Sequence, residues 1–201
     1  MAHQALSRNL FLVKEHVGLF KAANNYDIHD PATGQIVLEC REPNLGFFTK
    51  WLRFTEYKRY TPFDIQLRAP RGGGEGELVL QVTRGWTFIR SRVAVMDGKG
   101  RSLGGFRQKL LSIGGAFEVL DESDRPVCML EGKWTSWEFT FKAGEQQLAR
   151  VTKKWAGLGK ELFTSADNYV LEIEAAVPAD SAVRSLIVAS VMCIDMVLKE
   201  R

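Results

Sequence analysis

Cysteine is scarce in this chain of 201 residues. The three present, Cys40, Cys128 and Cys193, are far apart and odd in number. No C-x-x-C occurs, so neither a zinc site nor a disulfide framework has a basis in the spacing. Each thiol lies in an apolar run, which predicts buried structural cysteines in a reducing compartment. Histidine is equally rare, and His3, His16 and His29 fall into no H-x-H or H-E-x-x-H spacing. That removes the ordinary route to zinc hydrolysis. No G-x-S-x-G elbow marks a nucleophile. The expectation is a protein that is not an enzyme. A secretion signal is missing as well, because the first apolar run, Leu10 to Val13, is cut off by Lys14 and Glu15. Ala2 excludes N-myristoylation, and the final Lys-Glu-Arg is not a prenylation box. The net charge of +3 is too mild to predict a nucleic-acid partner, which calls for a concentrated basic face.

Glycine clusters do not make a phosphate site. Arg71-Gly72-Gly73-Gly74-Glu75-Gly76 leads into a strand pattern rather than the helix that a P-loop requires. In Gly157-Leu158-Gly159-Lys160-Glu161, Glu161 stands where the hydroxyl should be. Both read as turns.

What the chain does contain is alternation. Phe63-Asp64-Ile65-Gln66-Leu67-Arg68, Glu77 to Val82, Trp137 to Phe141 and Tyr169 to Glu174 place apolar and polar residues in turn at period two, the mark of a half-buried strand. Short polar turns separate such runs, which favours antiparallel hairpins over βαβ units. One unit recurs: an outgoing strand, a polar turn, a returning strand. It is read at Tyr26–Asp30 with Ile36–Glu39, at Val93–Asp97 with Leu103, at Phe117–Asp121 with Val127–Leu130, and at Phe139–Phe141 with Leu148–Val151. A lone hairpin cannot bury its apolar face, so a series of them must curl into a barrel or a sandwich.

The C-terminus breaks the pattern. Pro178-Ala179-Asp180-Ser181 carries helix-start chemistry, and Ala182 to Leu198 is apolar on nearly every side without Gly or Pro. Such a helix is a membrane span or the centre of a core. A span needs about 20 apolar residues. This one is shorter and is interrupted by Arg184, Ser185, Ser190 and Asp195. An aspartate near the bilayer interior costs about 2.5 kcal/mol or more. The balance favours a buried core helix. The whole chain, 1–201, is expected to form one mainly β domain, with residues 1–8 frayed.

Two basic-aromatic clusters stand out. One is Lys50-Trp51-Leu52-Arg53-Phe54 with Tyr57-Lys58-Arg59-Tyr60; the other is Arg150 to Trp155 with Lys160. Lys and Arg attract anionic headgroups, and Trp and Tyr suit the membrane interface. The same mixture also fits a strand's solvated face with its aromatics turned inward. Phe163 to Asn168, with Glu172 and Glu174 nearby, offers oxygens to calcium but lacks the EF-hand spacing.

The second cluster carries a resemblance. Val151 to Gly157 holds K-x-W-x-G, Glu161 to Tyr169 holds E-x-F-T-x-A-D-N-aromatic, and the apolar helix ends Cys193-Ile194-Asp195-Met196. Together, over roughly the last 50 residues, these resemble the C-terminus of phospholipid scramblases. The upstream hairpins are more loosely similar to the same family and to the LURP-one-related and Tubby C-terminal domains. The resemblance implies a closed antiparallel β-barrel around a central C-terminal helix, Tubby-like, and association with phospholipid. For animal members it also implies calcium-dependent, bidirectional lipid movement. The calcium segment of those members has acidic residues at the positions of Ser165 and Ala176; of its acidic set Asp167 alone is present here. Their Pro-rich extension and palmitoylated cysteine cluster have no counterpart among these residues. The expectation is therefore a monomeric phospholipid-binding protein, cytoplasmic or peripheral at the plasma membrane. Its anionic lipid contacts would be Lys153, Lys154, Trp155 and Lys160, and Asp167 is the one candidate calcium ligand. The alternative is a soluble, non-enzymatic interaction module with a protein or nucleic-acid partner on the same barrel.

Overall fold

The computed structural model describes residues 3–16, 25–44, 46–52, 60–72, 74–86, 91–109, 116–133, 137–153 and 168–198. Among these, twelve strands form one closed sheet. They are β1 (Leu10–Glu15), β2 (Tyr26–His29), β3 (Ile36–Arg41), β4 (Phe63–Ala69), β5 (Glu77–Arg84), β6 (Arg92–Asp97), β7 (Ser102–Gln108), β8 (Ala116–Leu120), β9 (Pro126–Lys133), β10 (Glu138–Ala143), β11 (Gln146–Thr152) and β12 (Asn168–Ile173). Each strand pairs with its neighbours in sequence, and the barrel closes where β1 meets β12, with Val13 opposite Tyr169 and Leu10 opposite Glu172. Closure leaves no unpaired edge for another chain to extend.

The alternation read from the sequence is the lumen-solvent alternation of the wall. In β4, Phe63, Ile65 and Leu67 are buried while Asp64, Gln66 and Arg68 lie half-exposed. All four hairpins read from the sequence are present, as β2–β3, β6–β7, β8–β9 and β10–β11. A short helix, α1 (Phe47–Leu52), lies between β3 and β4. The C-terminal helix α2 (Ala182–Leu198) fills the lumen, with every side chain from Arg184 to Met192 buried. Enclosure by the barrel explains why its sequence is apolar all round. Ser181 caps it: its Oγ accepts from the Arg184 amide (3.2 Å) and donates to the Pro178 carbonyl (2.9 Å). Among the described residues no helix is long and apolar enough to cross a membrane.

The turns repeat a device. Asp97 Oδ1 accepts from the Lys99 and Arg101 amides (2.9 and 3.0 Å), and its Oδ2 accepts from Arg101 Nε (2.8 Å). Asp121 does the same with Ser123 and Arg125. Asp30 accepts from the Ala32 amide and, across 22 residues, from Arg8 Nε (2.9 Å). These are Asx-turns, each locked by an arginine. The Arg125 amide and then its guanidinium hold Asp121 below the ordinary carboxylate value of 3.8, and Arg8 does so for Asp30. At Asp97 burial acts in the opposite sense, but the hydrogen bonds from Arg101 and Lys99 together outweigh it. A carboxyl whose folded pKa is depressed adds stability above its unfolded pKa and loses it as the pH falls through the lower folded value. The urea midpoint is therefore expected to decline only below about pH 4. Asp121→Asn should cost stability at neutral pH and progressively less as the medium is acidified. An equal gap at neutral and acid pH would show that the carboxylate charge does not hold the turn.

The returning strand of β6–β7 meets a wall of backbone. Gly104 has φ +118°, and a Cβ there would lie 2.0 Å from the Leu120 carbonyl oxygen, so only glycine fits. Cys40 and Cys128 are buried, as their apolar runs predict. Burial pushes the Cys128 thiol up to about 12 and Cys40 further, so neither is a nucleophile.

Of the segment expected to be frayed, 1–8, residues 3–8 are described. Gln4–Leu6 form a 3-10 turn with Leu6 only 1% exposed, and Arg8 bonds Asp30. Leu6 belongs to the barrel's own core, which supplies the apolar contact that orders the segment.

Candidate functional site

Because the strands run up and down in order, the connections alternate between the two ends of the barrel. Those after β2, β4, β6, β8 and β10 share one end and are two to seven residues long; three of them are the aspartate turns just described. Those after β1, β3, β5, β7, β9 and β11 share the other, and two of them are long: 42–62 between β3 and β4, and 153–167 between β11 and β12. The helix α2 follows β12 at the short-turn end and runs up the lumen towards the long-connection end.

This topology unites the two basic-aromatic clusters. Their described members at that end include Lys50, Trp51 and Leu52 in α1 and Lys153 just after β11, about 100 residues apart in sequence. Trp51 in α1 is 59% exposed, and Trp86, in the connection after β5, is 49% exposed. At the mouth of the lumen, Lys153 Nζ sits 3.9 Å over the Trp137 ring. Trp137 stacks on Tyr169 (centroids 6.0 Å, planes 23° apart) and meets Phe139 edge-on (6.4 Å, 87°). Tyr169 and Phe139 are core residues, so the wall itself holds the ring under the ammonium group. Such a contact is worth about 0.5–1 kcal/mol at an exposed site and leaves the positive charge in place.

A second cation lies inside the same mouth. Arg84, the last residue of β5, continues the inward parity of Leu80 and Val82; it lies 4.8 Å over the Phe63 ring and donates to the Thr61 carbonyl (2.6 Å). At the outer rim His16 Nε2 is 2.6 Å from Asp27 Oδ2, and Arg41 donates to Asp27 Oδ1 (2.6 Å) and to the Tyr26 carbonyl. Burial works to raise the Asp27 pKa, but His16 and Arg41 together hold it below the ordinary range. These contacts fasten the ends of β1, β2 and β3 to one another.

Of the residues expected to contact lipid, Lys153 is placed at this mouth. Lys154, Trp155 and Lys160, and the candidate calcium ligand Asp167, lie outside the described residues. Of the wider oxygen set, the described members Asn168, Glu172 and Glu174 do not converge. Asn168 opens β12 and Glu174 follows its end, about 20 Å away at ~3.3 Å per residue. Glu172 is exposed on the outside of the wall, and Glu174 accepts from Gln147 Nε2 (2.8 Å). Among the described residues no group of three His, Cys, Asp or Glu side chains could hold a metal ion.

Sequence reading missed Trp86, Trp137 and Arg84 as members of the site. For Arg84 the signal was available: an arginine at an inward position of an alternating strand lies in the lumen or at its mouth. For the tryptophans only the end-to-end topology could find them.

A family model described as Scramblase matches residues 8–201. No curated protein matches the sequence. A solved structure of a protein from Arabidopsis thaliana is similar over 92% of this chain and 90% of its own, with 16% identity and a TM-score of 0.48.

Proposed function

The chain belongs to the Scramblase family, and from that premise we propose that it binds phospholipid at a membrane surface by the long-connection end of its barrel. One observation carries this reading: described members of two sequence-distant basic-aromatic clusters, the exposed Trp51 and Trp86, and the Lys153–Trp137 contact all fall at that end. Lysines near an anionic leaflet draw the protein in, and tryptophans settle at headgroup level. The opposite end offers tight turns whose aspartates are already paired with arginines. Movement of lipid between leaflets is the further step of the same proposal. The contact is between cations and lipid anions directly, so a calcium chelator should leave it unchanged.

Sedimentation with vesicles tests the reading. The full chain should pellet with vesicles containing phosphatidylserine at low salt. It should be released as salt rises to about 0.5 M, where screening acts over only a few ångströms. Absence of binding to anionic vesicles at low salt would sink the proposal and turn attention to a protein partner.

A further inference from the structure

At the short-turn end, far from the proposed docking face, the N-terminus of α2 borders a cleft of about 600 Å³. That is within the range of small-molecule sites. Its apolar side is made by Leu6, Val79, Leu80 and Leu103. Its polar side contains Ser185, one turn into the helix. Ser185 is 4% exposed and lines the cleft, and its hydroxyl makes no hydrogen bond among the described residues. A helical serine ordinarily bonds back to a carbonyl of the preceding turn. Ser190, five residues on, does so, donating to the Ile187 carbonyl at 2.7 Å. Ser185 therefore brings a hydroxyl without a protein partner among the described residues to the wall of the cleft.

The surrounding charges say what would fill it. Asp97 is paired with Arg101 (2.7 Å) and Glu77 with Arg71 (2.6 Å). Among the described residues Lys99 and Asp180, both lining the cleft, carry no ion pair. The Ser181 cap takes the Arg184 amide, which leaves the first amides of α2, at Ala182 and Val183, without intrahelical partners. A plain anion would face Asp180, and a plain cation would face Lys99 and the positive end of the helix. A molecule carrying both signs satisfies both.

We propose that this cleft binds a small zwitterion with a short aliphatic body. Its carboxylate or phosphate lies towards Ser185, the α2 amides and Lys99, its ammonium towards Asp180, and its chain against Leu6, Val79 and Leu103. The site is independent of the phospholipid-docking reading.

Calorimetric titration of the full chain with norleucine, hexanoate and hexylamine tests it, with glycerophosphoethanolamine as the phosphate counterpart. One of the two zwitterions should bind, and each single-charge probe should bind about tenfold more weakly. Ser185→Ala and Lys99→Ala should each weaken the zwitterion about tenfold while leaving the thermal midpoint in place. Failure of both zwitterions to bind, or unchanged affinity in both variants, overturns the proposal. Ser185→Ala should still sediment with phosphatidylethanolamine-containing anionic vesicles, which identifies the ligand as a free molecule. Loss of vesicle binding in that variant would instead make the ligand a lipid headgroup and overturn the assignment to a free molecule.

Discussion

Replacing Arg184 by methionine is expected to lower the unfolding free energy by about 3 kcal/mol. Arg184 lies inside the barrel, 2% exposed, without a carboxylate partner. Its guanidinium donates to four neutral oxygens: the Arg8 carbonyl (2.7 Å), Asn9 Oδ1 (2.9 Å), the Val177 carbonyl (2.5 Å) and the Pro178 carbonyl (3.2 Å). Burial pulls its pKa below the ordinary arginine value. Two effects oppose each other on truncation. Removing a buried cation recovers its desolvation cost. Against that, four acceptors lose their donor, and a buried unsatisfied oxygen costs about 1–3 kcal/mol. Three of the four are backbone carbonyls, which cannot rotate out to water, so the loss should dominate. Arg184→Lys separates charge from geometry: the ammonium keeps the charge but lacks the planar fork, and more than half of the loss should persist. Urea denaturation with an unchanged slope reads both values. A shift under about 1 kcal/mol for the methionine variant would show that water takes over the acceptors, and that the contact is no latch. The size matters because a typical domain has about 5–15 kcal/mol in total. The latch also joins the start of β1 to the start of α2, 176 residues apart, so its loss loosens the one helix that fills the core.

How much of this was readable beforehand differs by element. The strands were legible because a wall between a dry lumen and water imposes period two on every strand. The hairpins were legible because each outgoing strand ends in an aspartate, Asp30, Asp97 or Asp121, that folds the turn around itself. The fourth hairpin lacks that aspartate and turns instead through Gly144 at φ +58°. The helix was legible from its length and from Arg184, a residue that a bilayer would not favour and that four oxygens inside the barrel accommodate. The N-terminal segment was not. Ala5 and Leu6 show no period, and their order comes from the barrel core and from a partner at the far end of the sequence. The site was half legible. Composition marked the two clusters, but their meeting at one end depends on the parity of twelve strands, and a single missed strand would have sent them to opposite ends.

That parity leads to the second large effect. Changing Lys153, Lys154 and Lys160 together to alanine is expected to weaken binding to phosphatidylserine vesicles about 100-fold. Each lysine near an anionic surface contributes about 1 kcal/mol, and about 1.4 kcal/mol is one decade of affinity. Lys153 is the member whose position is described. The Trp137 ring beneath it orders the ammonium without neutralising it, so its share should be undiminished. Trp51→Ala with Trp86→Ala should weaken binding further and with little salt dependence, because their contribution is apolar. Charge alone is controlled from the opposite end. Lys99→Ala with Lys142→Ala removes positive charge beside the short turns and should change vesicle binding far less. If the two lysine sets proved equivalent, net charge rather than a docking face would govern the attraction. If the tryptophan pair had no effect while the lysine triple did, the barrel would hover on the headgroups without entering them. The combination expected here, a steep loss from the β11–β12 connection, a salt-insensitive loss from the two tryptophans and little from the far end, fits only a barrel that stands on its long connections.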